Sequence, residues 1–434
     1  MRRSAKKAFT ELPAGRELMT KTSQAEGTSV TRRTSILNLV LIVSFAHAMV
    51  HLIEQSFASV EQIVSDEFHL TTRQSGSLGS ALRIPFGFGA LLTGILADRI
   101  GAARVLVVYL AGIAVVCLTV PLTQTETPLI WQLLLLGTFA SMYHPAGLAL
   151  LSTSTSVEER GRALGIHGVF GSLGLAAAPV LAGIVLAIPN TNWRHFFLVL
   201  GVVSGVLAVM FRIGFARYQT GSHQTVRATT QVDQEYAPAS LQVAPFVLLM
   251  VSSACSGIVY GGFLHFLKRY LSEVDWSQLV SWKPDTIAGV QSGLVLFFGV
   301  AGQWLSGVLA KPHRLRLMLS IIYLIDAPLL FWMSQANGHI SLVPCCLLAL
   351  VHFMNQPVYN SLLPEYVPVK TRSTWFGVSQ MMTFGIGALG PTLVGSFDNY
   401  RHSYVALSII SVVSGLLPFA LPRARQEGTM PTAQ

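Results

Sequence analysis

Three polar side chains of the first long apolar run, His47, His51 and Glu54, fall at i, i+4 and i+7, which places them on one face of a helix. A charge inside an apolar run is costly, so each such group implies a partner, water or a task. Arg83 stands in the second run. At a helical rise of about 1.5 Å per residue, His51 and Arg83 lie roughly 12 Å and Glu54 about 8 Å in from the same end of their helices. They form one layer if those helices are neighbours. A carboxylate beside a guanidinium in a poorly hydrated space can be displaced by an anion, and once freed it binds a proton more readily. Histidines, titrating near 6.5, can relay that proton. Glu54, His51 and His47 are therefore the candidate proton-coupling residues and Arg83 the candidate anion anchor. His144 and His167, in the other half of the layer stack, and His352, Asn355 and Gln356 in the second half of the chain complete the candidate binding set. The spacing of His47, His51 and Glu54 also suits a transient divalent metal ion, an alternative reading of the same face.

No Lys or Arg of the second half falls opposite Arg83, so the positive site is one-sided. That favours a bound molecule with one anionic end and an apolar body, with Tyr260, Phe297, Phe298 and Trp304 as surfaces to pack it. Asp326 is expected to hydrogen-bond Tyr323 or a neighbouring helix rather than a ligand.

The elements that hold these residues follow from composition. Of 434 residues 52% are hydrophobic and only 11% charged, against about 25% charged in ordinary soluble domains. Such a chain cannot cover a water-facing surface of its size, which excludes a soluble enzyme, and it is too apolar to be disordered. Runs able to cross a bilayer lie near 35–59, 75–97, 104–122, 128–151, 162–188 and 194–215, then near 241–267, 286–310, 317–335, 341–363, 373–396 and 402–421. The expected fold is an all-α membrane protein with twelve transmembrane helices in two pseudo-symmetric six-helix bundles. Residues 1–34 form a disordered cytoplasmic tail, 35–215 the first bundle, 216–240 a cytoplasmic linker, 241–421 the second bundle and 422–434 a second cytoplasmic tail.

Orientation follows from the 29 Lys and Arg. If both tails are cytoplasmic, the outer loops hold only Arg73, Arg194, Lys268, Arg269, Lys283 and Arg401, and all the rest save Arg83 lie inside. The net charge of +9 is spread between apolar runs and not gathered on one face, so no nucleic-acid partner is expected. All four cysteines sit in apolar runs, which fits neither a disulfide framework nor zinc. A Gly-x-Ser-x-Gly elbow, a phosphate loop and paired catalytic carboxylates are all missing, so neither enzyme activity nor a cofactor is expected.

An internal repeat joins the halves. Gly89 to Ala97 reads GALLTGILA and Gly302 to Ala310 reads GQWLSGVLA, while Pro145, Arg160, Gly165, Pro179 and Gly183 recur as Pro357, Arg372, Gly377, Pro391 and Gly395. Duplicated halves of six helices insert in the same orientation and leave a cavity between them. After the second run stand Gly94, Asp98, Arg99, Gly101 and Arg104, with Ala102 and Ala103 where basic residues are usual. In this pattern the chain resembles the major facilitator superfamily, with the five residues as the conformational-gating motif. Tyr143-His144-Pro145-Ala146, Arg160-Gly161-Arg162 and His51-Leu52-Ile53-Glu54 are similar to the fosmidomycin-resistance-like efflux branch. The resemblance implies helices 1, 4, 7 and 10 around a central cavity and secondary transport of a small organic solute, proton-coupled and directed outward, by a monomer in a bacterial inner membrane. The fifth run has Ala178-Pro179 and Ala182-Gly183 where antiporters of the superfamily often have Gly-Pro. A ligand sensor or assembly protein that moves nothing is the remaining alternative.

Overall fold

The computed structural model describes residues 36–155, 157–221, 238, 240–274, 281–368 and 371–422. The expected tail 1–34 lies outside the described residues, as do most of 216–240, nearly all of 422–434, and the side chains of Asp98, Arg160, Arg162 and Arg372. Among the described residues there is no strand. Eleven helices are long and apolar enough to cross a membrane: Ile36–Glu67, Thr72–Ala97, Ala102–Leu122, Glu126–Leu151, Ala163–Ala187, Trp193–Ala216, Val243–Ser272, Pro284–Leu309, Leu315–Gln335, Gly338–Glu365 and Tyr400–Ala420. The remaining run, eleventh in chain order, is interrupted. It comprises an α-helix Arg372–Gln380, a π-helical turn Met381–Ile386 and an α-helix Leu389–Gly395. With it the chain is a twelve-helix membrane protein in two halves, and the helices are referred to below as the first to the twelfth span.

Hydropathy underestimates the first span, which runs on to Glu67 because Gln55 bends the helix without ending it. The seventh span likewise absorbs Lys268 and Arg269, which the sequence places in a loop. Both changes bring charged residues inside the helical bundle. Gly101, at φ +90°, makes the turn between the second and third spans, a conformation that a side chain would strain.

The first and last spans begin and finish at one end of the molecule, here the terminal end; the other is the far end. The halves are clamped at the far end. The second span meets the eleventh there: a Cβ on Gly76 would collide with the Pro391 carbonyl, one on Gly395 with the Thr72 carbonyl, and Ser80 donates to the Ala388 carbonyl at 2.5 Å. The fifth meets the eighth in the same way, with Gly289 against the Pro179 carbonyl and Thr286 donating to the Gly183 carbonyl at 3.0 Å. Backbone approach of this kind depends on residues without side chains, as is general for helices packed in lipid. Toward the terminal end Gly94, Gly165, Gly168 and Gly307 have nothing among the described residues within 4 Å of where a Cβ would stand.

Candidate functional site

Glycines again decide how close the first span comes to its neighbours. Gly171 and Gly174 of the fifth span leave no room for a Cβ beside the His47 ring and the Ala48 carbonyl, and Gly137 of the fourth leaves none beside the Leu82 carbonyl of the second. First, second, fourth and fifth spans thus converge, and they bring together every histidine the sequence singles out in the first half. The His47 and His167 rings stack at 3.8 Å between centroids, with His144 at 5.3 Å from His47 and at 5.4 Å from His51. The two layers inferred from depth merge, with His47 as the link.

A continuous chain of hydrogen bonds runs through this cluster. The His47 Nδ1 donates to the His167 carbonyl at 2.6 Å, and its Nε2 lies 3.2 Å from Nε2 of His51. His51 Nδ1 lies 2.7 Å from Oε2 of Glu54, whose Oε1 accepts from Arg83 Nη1 at 3.1 Å. The Tyr143 hydroxyl donates to the Val43 carbonyl and meets Nε2 of His167, both at 2.8 Å. Glu54 and Arg83 are 2% and 4% exposed, so this is a buried ion pair and neither group faces outward. Tyr260 of the seventh span comes from the other half: its hydroxyl is directed at Glu54, and the Arg83 guanidinium carbon stands 5.6 Å above its ring. Two buried atoms here find no hydrogen-bond partner among the described residues, Arg83 Nη2 and His144 Nε2.

Candidates of the second half are separate. His352 bonds Asp326 Oδ2 at 2.7 Å, Asn355 donates to the His352 carbonyl at 2.5 Å, and Gln356 accepts from Gln303 at 2.6 Å. Gln303 in turn meets Ser172 of the first half. Only His352 approaches the cluster, its ring lying 6.1 Å from that of Tyr260. Asp326 has the neighbouring-helix partner anticipated for it. Of the four proposed packing residues, Tyr260 alone joins the cluster; Phe297, Phe298 and Trp304 are exposed, at 55%, 37% and 71%. In the gating motif Arg104 Nη1 donates to the Ile100 carbonyl at 3.2 Å, and Arg99 is exposed.

Charge pairs at the far end escaped the sequence. Glu61, 1% exposed, accepts from Arg269 at 3.2 Å and from Ser65 at 3.1 Å, and also bonds Ser75. Lys268 meets Asp285 at 3.0 Å, Ser272 donates to Gln62 at 2.8 Å and Gln55 to the Leu264 carbonyl at 2.9 Å. The Glu61, Gln62 and Gln55 contacts all join the first span to the seventh. Just beyond it, partial burial raises the Glu273 carboxyl above its ordinary value, against the opposing effect of Arg269. The signal for these pairs lies in the spacing Gln55, Glu61, Gln62, of which the last two fall beyond the limit of 59 that hydropathy sets for the run.

As to metal, ring nitrogens of His47, His51 and His144 lie within 4.8 Å of one another and can face a common ion, whereas Glu54 is turned to Arg83 and His51.

Comparison with known proteins agrees with this architecture. The "Major Facilitator Superfamily" family pattern matches residues 43–391. The 4-hydroxybenzoate transporter PcaK of Pseudomonas aeruginosa is 29% identical over 80% of this chain and 82% of its own. A protein described as a probable L-galactonate transporter of Escherichia coli is 22% identical over 88% of each. The crystal structure of a bacterial homolog of the human lysosomal transporter Spinster, inward-facing and unoccupied, superposes with a TM-score of 0.70 at 15% identity, covering 89% of this chain and 96% of that one, a likeness of fold. Twelve helices in two repeated halves, a shared polar core and a match across most of the length lead to one assignment: the chain belongs to the major facilitator superfamily, as a multi-pass membrane protein and secondary transporter.

Proposed function

We propose that the protein carries small organic anions together with protons, by alternating access, as a monomer in a bacterial inner membrane with both termini cytoplasmic. One observation carries the reading, the hydrogen-bond order along His167, His47, His51, Glu54 and Arg83. His47 spends its only neutral-form proton on the His167 carbonyl, so its Nε2 must accept from His51. His51 Nδ1, facing an ionised carboxylate, must then donate as well, or Glu54 must carry the proton. Either way the network holds one proton more than neutral imidazoles supply. With Arg83 and that proton against one carboxylate, the site is left with a single net positive charge. An anion neutralises it, which a low-dielectric cavity rewards strongly.

Proton and anion are then bound together, which makes the proposed coupling a symport. An inward proton gradient drives uptake through such a site, so the count of protons favours entry over the efflux implied by Tyr143-His144-Pro145-Ala146 and its companions. The PcaK and galactonate relatives, named for organic acids, support the same substrate class. The terminal end faces the cytoplasm in this orientation, and the basic residues of that end support it. In proteoliposomes with an alkaline interior, 4-hydroxybenzoate and related carboxylates should accumulate through the parent and not through Arg83→Ala. A Glu54→Gln protein that accumulates them with unaltered proton dependence overturns the reading.

A divalent-metal carrier is the second reading, favoured by the convergence of His47, His51 and His144. Cobalt or zinc flux that is abolished by His51→Ala, with no carboxylate flux in the parent, would establish it instead.

A further inference from the structure

Arg83 and His144 are the two members of the cluster with a buried polar atom left over, Nη2 and Nε2 respectively. Aromatic rings connect them. The Arg83 guanidinium lies over Tyr260; the Tyr260 ring is 6.0 Å from Phe384, Phe384 is 5.4 Å from Phe86, and Phe86 is 6.0 Å from His144. Three of these contacts are edge-on. Phe384 owes its position to the π-helical turn Met381–Ile386, where the extra residue swings it out of the register an α-helix would give. The wall is built from both halves of the molecule: Phe86 and His144 from the first, Tyr260 and Phe384 from the second.

We propose that this wall selects planar aromatic monocarboxylates bearing a hydrogen-bonding group opposite the carboxylate. The carboxylate accepts from Arg83 Nη2, the ring lies against Phe86, Phe384 and Tyr260, and the distal hydroxyl or equivalent meets His144 Nε2. Polyhydroxy acids fit poorly, because their hydroxyls would lose water against three rings with a single polar atom to receive them. The inference rests on the anion-carrier reading and narrows it to a ligand class. Edge and face contacts with a bound ring add to burial, which a saturated ring of the same size recovers only in part. A site that leaves a buried nitrogen unpaired discriminates against ligands unable to satisfy it.

The test is equilibrium binding to purified protein in lipid nanodiscs with four probes: benzoate, 4-hydroxybenzoate, cyclohexanecarboxylate and gluconate. The expected order is 4-hydroxybenzoate tighter than benzoate by about tenfold, benzoate tighter than cyclohexanecarboxylate by a few-fold, and gluconate weakest. His144→Leu should erase the first difference, and Phe384→Leu should erase the second. Because the parent's ligand order is itself decisive, the test stands even if a variant does not fold. Gluconate binding as tightly as benzoate, with both lost in Arg83→Gln, refutes the aromatic selection and leaves the anion reading intact. Binding of no carboxylate, or binding indifferent to Arg83→Gln, overturns the anion reading itself.

Discussion

If one proton accompanies each anion, the affinity of the parent for a carboxylate must fall with rising pH, and Glu54→Gln must abolish that dependence. The hydrogen-bond order puts one proton on the His51–Glu54 pair beyond those that neutral imidazoles supply. Linkage of a single proton gives a limiting slope of about tenfold in dissociation constant per pH unit. Removing the carboxylate has a second effect. In the empty protein Glu54 accepts from Arg83 Nη1 at 3.1 Å and so competes for the guanidinium with an anion arriving at Nη2. A charge-assisted hydrogen bond is worth about 1.5–3 kcal/mol, so its loss as a competitor should tighten anion binding by roughly 10- to 100-fold. Against this, leaving a buried guanidinium without its carboxylate costs as much as about 3–5 kcal/mol of folding stability, less where the glutamine oxygen still accepts. The variant should thus bind more tightly, melt lower, and fail to couple flux to the proton gradient. Isothermal titration over a series of pH values separates the effects. A parent whose affinity is flat across that series, or a variant that keeps the parent's slope, refutes the proton count.

Further tests address the frame. Gly87→Ala should lower the melting temperature and impair flux, because the new methyl collides with backbone atoms of Gly385 that cannot move aside. Gly94→Ala, with nothing within 4 Å, should stay within about 0.5 kcal/mol of the parent in the same thermal melts. Arg269→Met should loosen the far end by stranding Glu61; maleimide labelling of a Ser80→Cys protein from that side should then rise several-fold, and unchanged labelling would rule out a clamping role. Asp326→Ala should cost about 3 kcal/mol in stability by leaving His352 unpaired, while a benzoate affinity close to the parent's would confirm that this pair lies apart from the anion site.

Much of the polar core was legible because charge in an apolar run is rare and helical rise converts position to depth. Glu54 and Arg83 were placed at similar heights by counting, and they are in contact. His144 and His167 were placed in a deeper layer than His51; ring size closes that gap, since an imidazole reaches several ångströms from its backbone and His47 fills the interval. What sequence did not yield depends on helix ends and on rotation about helix axes. Glu61 and Arg269 lay past the hydropathy limits of their runs, although paired charges let the helices continue. Trp304 and Tyr260 look alike as aromatic residues of the second half, and only three-dimensional packing shows one at the surface and the other beneath a guanidinium. The π-helical turn has no compositional mark in Met381–Ile386 at all.

A surplus residue in a helix is a wrinkle that can travel. If the bulge at Met381–Ile386 migrates by a turn, the intervening segment re-forms as ordinary α-helix and rotates by about 100°, the angular step of the one surplus residue. Phe384 would then swing away from Phe86 and Tyr260 without any rigid-body movement of the bundles. In that case the eleventh span would act as a swivel whose motion needs only a handful of backbone bonds to be exchanged, a cheap way to let go of cargo.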